Sequence, residues 1–257
     1  MKIAVLVKHV PDTYGERRLD TTTGLIDRLD DDQVADEINE RALEVALSHR
    51  DADKSTEVIV ISMGPTGAKD ALRKCLSMGA DSAIHILDDE LQGSDAATTA
   101  EVLSAALAQQ GVDLILAGNE STDGRGGIVP ALIAEFLGVA LLSSLGSVAV
   151  TSSEVSGSRE TEFESLRVHT ALPAVVSITE SSADARFPNF KGIMTAKRKP
   201  LTVLTLSQLG IGVEGSVSKS ILVSTLERAA RGSGTKVIDD GTASAQLVDY
   251  LASERLI

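Results

Sequence analysis

The chain reads as an α/β protein with a doubly wound, mostly parallel sheet. Three observations predict this. Short continuous runs of Val, Ile and Leu recur along the first two-thirds of the sequence. Amphipathic helical patterns separate them, as in sheets covered on both faces. Right-handed crossovers then wind the chain both ways from a central strand. In order, IAVLVKHV (3–10) is a buried strand. VADEINERALEVALSHR (34–50) places Val34, Ile38, Ala42, Val45 and Ala46 on one helical face. EVIVISMG (57–64) is the second strand, and TGAKDALRKCLSMGA (66–80) a helix closed by Gly79. SAIHIL (82–87) is a short strand, and ATTAEVLSAALAQQG (97–111) a helix capped by Gly111. DLILAG (113–118) is the fourth strand, and IVPALIAEFLG (128–138) the helix after it.

Beyond about residue 140 the pattern changes. Residues 147–179 alternate as antiparallel strands with polar turns and end in an apolar strand. Residues 180–200 read as a polar loop and a basic strand entry. Residues 213–245 are rich in Gly, Ser and Thr, with periodicity only in ILVSTLERAARG, and ASAQLVDYLASERLI is a terminal helix. A compact domain seldom needs so long and weakly patterned a tail. The division expected is an α/β domain over 1–212 and a C-terminal arm over 213–257 that packs on another chain.

Composition removes several function classes. The chain has 257 residues, 43% of them hydrophobic and 24% charged, as in a soluble globular protein. No apolar run approaches the roughly 20 residues that span a bilayer, and MKIAVLVKHVPDT reads as a first strand without a leader cleavage site. With a single cysteine, Cys75, no disulfide can form within the chain, and a reducing, cytoplasmic setting is expected. A net charge of −13 and 2% aromatic residues argue against nucleic acid and anionic membranes as partners. Lys191, Lys197, Arg198 and Lys199 break the acidic trend and mark either a docking patch or a solvated strand end.

The most informative stretch is AGNESTDGRGGIVPALIAEFLG, residues 117–138. Gly118 ends the fourth strand at the carboxyl edge of the sheet, where open α/β sheets bind ligands. Gly124, Gly126 and Gly127 let the backbone approach an anion, ahead of a helix N-terminus that favours negative charge. Arg125 adds a cation or faces water, and Ser121, Thr122 and Asp123 cap the helix or bond a ligand hydroxyl. The loop matches neither the P-loop nor the G-x-G-x-x-G pattern, so a plain glycine turn competes with a phosphate seat. Lys8 and His9 after the first strand, and Met63 and Gly64 after the second, point at the same edge. Catalytic groupings are poor: His9, His49, His85 and His169 lack ligand spacing, and no nucleophile elbow, H-E-x-x-H or C-x-x-C occurs. The acid-rich LDDDQVADE (29–37) is not a calcium loop. The reading from residues alone is a nucleotide binder without chemistry of its own.

The motifs KIAVLVKHVPDT, DEINERALEVAL, SMGP, RKCLSMGAD, AGNESTDGRGGIVPALIAEFLG, LPAVVSI and RFPNFKGIMTAKRK, in this order over nearly the whole chain, resemble electron transfer flavoprotein β subunits of the actinobacterial type. The resemblance implies a Rossmann-like fold of the adenine-nucleotide-binding type and pairing with an α subunit. It also implies one FAD held mainly by that α subunit, and an AMP in the β chain with a structural role. Electrons would pass from acyl-CoA and related dehydrogenases to a membrane quinone oxidoreductase. The family's nucleotide contacts fall on Leu6, on Asp36, Glu37, Ile38 and Asn39, and on Met63. They continue over Gly118, Asn119, Glu120, Ser121, Thr122, Asp123, Gly124, Arg125, Gly126, Gly127, Ile128 and Val129. Phosphate contacts are expected on the backbone of Gly126 to Val129, and the adenine between strand one and the Asp36–Asn39 helix start. Thr13 and Tyr14 match a region that approaches the flavin.

Three departures qualify the resemblance. The helix start Ile128-Val129-Pro130-Ala131 lacks the threonine of a T-G-Q start, so the phosphate must rely on backbone N–H groups. The D-G-D-T-A-Q loop of electron-bifurcating relatives, which bind a second FAD here, is absent. The partner-recognition loop, within 180–199 and reaching dehydrogenases through 179–192, carries Ser182 where a bulky aliphatic anchor is usual. A buried leucine there would contribute on the order of 2 kcal/mol, so altered or weaker dehydrogenase docking is expected. The alternatives are a bifurcating β subunit with its own FAD, a free-standing nucleotide-binding regulatory protein, and an enzyme of the adenine-nucleotide hydrolase type. The last would need a phosphate-activating motif that the loop lacks.

Overall fold

A computed structural model describes residues 1–15, 18–28, 32–212, 218–226, 229–230 and 232–257. Three of the acid-rich residues, 29–31, and parts of the 213–232 tail therefore lie outside the described residues. Seven strands make one sheet: β1 (Lys2–Leu6), β4 (Glu57–Met63), β5 (Ser82–Ile86), β6 (Leu114–Gly118), β7 (Ala140–Leu145), β11 (Ala174–Ile178) and β12 (Leu201–Leu204). Their order is β12-β5-β4-β1-β6-β11-β7, and every pairing is parallel. The expected parallel sheet is thus wholly parallel. The antiparallel pairs stand outside it, in a ribbon of β2 (His9–Pro11) with β3 (Gln33–Ala35) and a sheet of β8 (Ser147–Val150), β9 (Glu154–Glu160) and β10 (Ser165–Ala171).

Strand residues alternate between two cores. Ile3, Val5, Val58 and Val60 face α1 (Glu37–Ala52) and α2 (Ala68–Met78). Ala4, Leu6, Ile59 and Ile61 face α3 (Ala96–Gln110) and α4 (Val129–Leu137). Both faces are covered, which is why the strands read as unbroken apolar runs. Gly111 and Gly138 close α3 and α4 in the left-handed conformation, at φ 57 and 64.

Four expectations need correction. The strand expected over 3–10 stops at Leu6, because the Lys8 N–H is taken by the Asn39 side chain at 2.7 Å, and His9 then pairs with Ala35. The helix expected from residue 34 starts at Glu37, since Val34 pairs with Val10 and Asp36 is the cap. The basic strand entry is a helix, α5 (Phe190–Ala196), with the Asn189 side chain accepting the Gly192 N–H at 2.7 Å. Strand β7 closes one sheet edge without having been read from the sequence, while β12 at the other edge starts just past the expected strand entry. The tail from Ser224 forms a second unit containing α6 (Ala243–Ser253), in which no residue is buried.

Candidate functional site

The strand order places the switch point between β1 and β6, whose neighbours β4 and β11 continue in opposite directions. A crevice at the carboxyl ends of those strands is the expected ligand position. The structure brings the sequence-derived residues together there: Leu6 ends β1, Met63 ends β4, Gly118 ends β6, and Asp36 to Asn39 open α1.

Asp36 is the keystone. It is fully buried, and one carboxylate oxygen accepts the Ile38 N–H at 3.0 Å as the α1 cap. The other accepts both the N–H and the hydroxyl of Thr122, at 2.7 and 3.0 Å. A buried carboxylate without these donors would be costly, so the pair locks the 118–128 loop to α1. Asn39 ties the same helix to the end of strand one through Lys8. Gly118 is required by packing: a Cβ there would lie 2.6 Å from the Asn39 amide nitrogen and 3.0 Å from Ile38. Leu6, Ile38 and Asn39 are buried, Met63 is half-buried, and Glu37 is exposed.

Asp123 is a second brace. Lys8 Nζ reaches one of its oxygens at 2.7 Å and Arg28 the other at 3.1 Å. Burial works to raise its pKa, but the Lys8 and Ser121 hydrogen bonds and the Lys8 charge outweigh this and bring it down to about 2. Lys8 also donates to the Ser121 hydroxyl at 3.1 Å, and Arg28 to the His9 carbonyl at 2.7 Å. Ser121, Thr122 and Asp123 therefore cross-link the loop to β1 and α1, and no side chain caps α4. Sequence reasoning missed Lys8 and Arg28 as the partners of Asp123; their separations of 115 and 95 residues leave no local signal.

Beyond these braces the loop is open. Gly124 to Ile128 are exposed, and Arg125 holds a positive φ of 47, uncommon for a residue with a side chain. The N–H groups of Gly126, Gly127 and Ile128 donate to no acceptor among the described residues. A Cβ on Gly126 would meet nothing within 4 Å. Asn119 leaves its side-chain oxygen buried without a partner, while its N–H reaches the Ile178 carbonyl at 2.7 Å. Glu120 is half-buried and Val129 begins α4. Free amides at an uncapped helix start, on a rigidly braced loop, suit an oxyanion. Among the described residues no group of three or more His, Cys, Asp or Glu could hold a metal, and no helix is long and apolar enough to cross a membrane.

An α/β chain with a braced glycine loop at the switch point has the frame in which open α/β sheets place a ligand, and comparison with known proteins sharpens this. The electron transfer flavoprotein domain matches residues 23–209. The electron transfer flavoprotein subunit beta of Mycobacterium leprae is 44% identical, with 99% of each chain covered. That of Megasphaera elsdenii is 31% identical over 100% of both. A subunit of the caffeyl-CoA reductase–Etf complex of Acetobacterium woodii is 30% identical, covering 99% of this chain and 97% of the relative. The chain belongs to the electron transfer flavoprotein β-subunit family. Its members are electron carriers, and the poor catalytic groupings of the sequence agree with that role.

Proposed function

We propose that this chain is the β subunit of a heterodimeric electron transfer flavoprotein in the cytoplasm. It holds one AMP and, with its α subunit, encloses one FAD that carries electrons from acyl-CoA dehydrogenases to a membrane quinone oxidoreductase. The observation that carries the AMP reading is the trio of free N–H groups at Gly126, Gly127 and Ile128. These, with the Val129 helix start, would hold the phosphate. Asp36, Thr122 and Asp123 act indirectly, by fixing the loop. The AMP supplies no chemistry; the flavin supplies the electron exchange.

Support for dehydrogenase docking comes from the 179–192 loop and α5. Phe187 and Phe190 are 94% and 80% exposed, with Ile193 and Met194 beside them. Ser182, by contrast, sits in a turn: its N–H reaches the Thr179 carbonyl and its carbonyl accepts from Arg41 at 3.2 Å. In this reading Phe187 and Phe190 take the place of the aliphatic anchor that Ser182 lacks, so docking need not be weakened as the serine suggested. Arg186 holds this segment to α1 through Glu44 at 2.7 and 2.8 Å and through Asp51 at 2.8 Å.

A second reading, a β subunit with its own FAD, is favoured by the relative from a caffeyl-CoA reductase–Etf complex. Nucleotide analysis decides. The chain is co-expressed with its α subunit, the complex denatured, and the released nucleotides identified by chromatography and mass. One FAD and one AMP per heterodimer is the expected result. Two FAD would replace the AMP reading. A chain that purifies alone with ATP or nothing bound would overturn the carrier assignment.

A further inference from the structure

A groove of about 690 Å3 lies at the opposite edge of the sheet, at the amino ends of β4 and β5. Its walls come from the ends of α1 and α2 and from residues 186–199. Five cationic side chains line it, Arg50, Lys54, Arg186, Lys191 and Lys199, against the carboxylates of Glu57 and Asp81. In a chain of net charge −13 this is a local reversal of sign.

Two of the cations are fixed by the backbone. Lys199 Nζ donates to the carbonyls of Leu76, Gly79 and Ala80 at 3.0, 3.1 and 2.6 Å. Arg50 donates to the Gly79 carbonyl at 2.7 Å and to Asp81 at 3.1 Å. Both converge on the C-terminal end of α2, whose partial negative charge is about half an electron. Two full positive charges there exceed what the helix end and Asp81 balance. Burial pushes the Lys199 pKa down, Asp81 opposes this, and Arg50 adds to the lowering. Arg186 is satisfied by Glu44 and Asp51. Lys54 is exposed and meets only Asp51 at 2.9 Å, and Lys191 has no partner among the described residues. The groove thus combines a fixed, partly buried pair of cations with two adaptable ones.

We infer that this groove binds a small polyvalent oxyanion, bearing two or more carboxylate or phosphate groups, on Arg50, Lys54 and Lys191, while Lys199, whose three N–H bonds are given to carbonyls, adds its charge. The volume is that of a small-molecule site. Cations from the α1 end and from residues 186–199 both line the groove, so a multiply charged ion can pair with both at once. One wall is the segment proposed to dock dehydrogenases, so a bound anion would brace that segment. The site stands at the sheet edge opposite the glycine loop and does not depend on the AMP reading.

The test is calorimetry on the protein as purified with its partner subunit, at physiological ionic strength. AMP is present in excess to keep the glycine loop filled. Pyrophosphate and citrate are the probes, and the exposed double variant Lys54→Ala/Lys191→Ala is the control. Saturable binding of either probe, weakened about tenfold or more in the double variant, is the expected result. Pyrophosphate alone would make the ligand a polyphosphate, and citrate alone a polycarboxylate. Absence of saturable binding by both probes, or affinity unchanged in a double variant of normal melting temperature, would overturn the assignment.

Discussion

At the scale of single residues, the site is governed by buried polar groups whose partners lie far away in sequence. Asp36 could be read as a helix cap, because Asp before a helical run is a common start signal. Its second task, holding Thr122, is visible only when β1 and β6 stand side by side. His9 gives a testable pH dependence. Burial first, then the Arg28 charge, hold its imidazole below its ordinary value, against the opposing charge of Asp70. A base whose folded pKa is lowered binds fewer protons when folded. Its contribution is therefore intact above the unfolded value of about 6.5 and is lost as pH falls from there towards the folded value. The melting temperature should decline between pH 7 and 5.5, and His9→Gln should flatten that decline. An identical slope in both proteins would count against His9. Asp123 acts in a separate window, supporting the fold above its unfolded value and weakening it only as pH falls towards 2.

At the scale of elements, α5 shows how a segment can be misread. Its basic residues and the following apolar strand suggest strand entry. Yet Asn189 caps a short helix, and Gly192 lets it approach α2, since a Cβ there would lie 2.2 Å from the Ser77 carbonyl oxygen. Arg73 then accepts the burden of the helix end by donating to the Ala196 carbonyl at 2.7 Å. Packed on that side, α5 turns Phe190, Ile193 and Met194 outward. If this face is the dehydrogenase anchor, Phe190→Ala should lower the rate of electron transfer from an acyl-CoA dehydrogenase about tenfold or more, the range of a hot-spot residue. Ser182→Leu should leave it unchanged. A gain in Ser182→Leu with a normal Phe190→Ala would restore the serine position as the anchor.

At the scale of the whole molecule, the sheet is a frame with different duties at its two edges. The carboxyl ends of β1, β4 and β6 hold the glycine loop, and the amino ends of β4 and β5 hold the cationic groove. In the unit beginning at Ser224, Leu226, Ile238 and Tyr250 are exposed. Such open apolar side chains would suit a surface for another chain, as proposed for the arm. A chain ending at Val223 should keep the helical circular dichroism and cooperative melting of the α/β unit and fail to co-purify with the α subunit. Retained co-purification would remove the tail from the interface.

The sequence by itself determined the order of the first strands and helices, because strands covered on both faces are continuous apolar runs and their helices carry caps and periodicity within a few residues. It also marked the glycine loop, since turn glycines and a strand-to-helix change are local signals. The family motifs pointed to the same place. Tertiary structure alone decided the edges of the sheet, where β7 must wait for β11 some thirty residues later and β12 for β5. It alone paired Asp36 with Thr122, Asp123 with Lys8 and Arg28, and Lys199 with the end of α2. Such contacts depend on which strands become neighbours, and no local spacing encodes that.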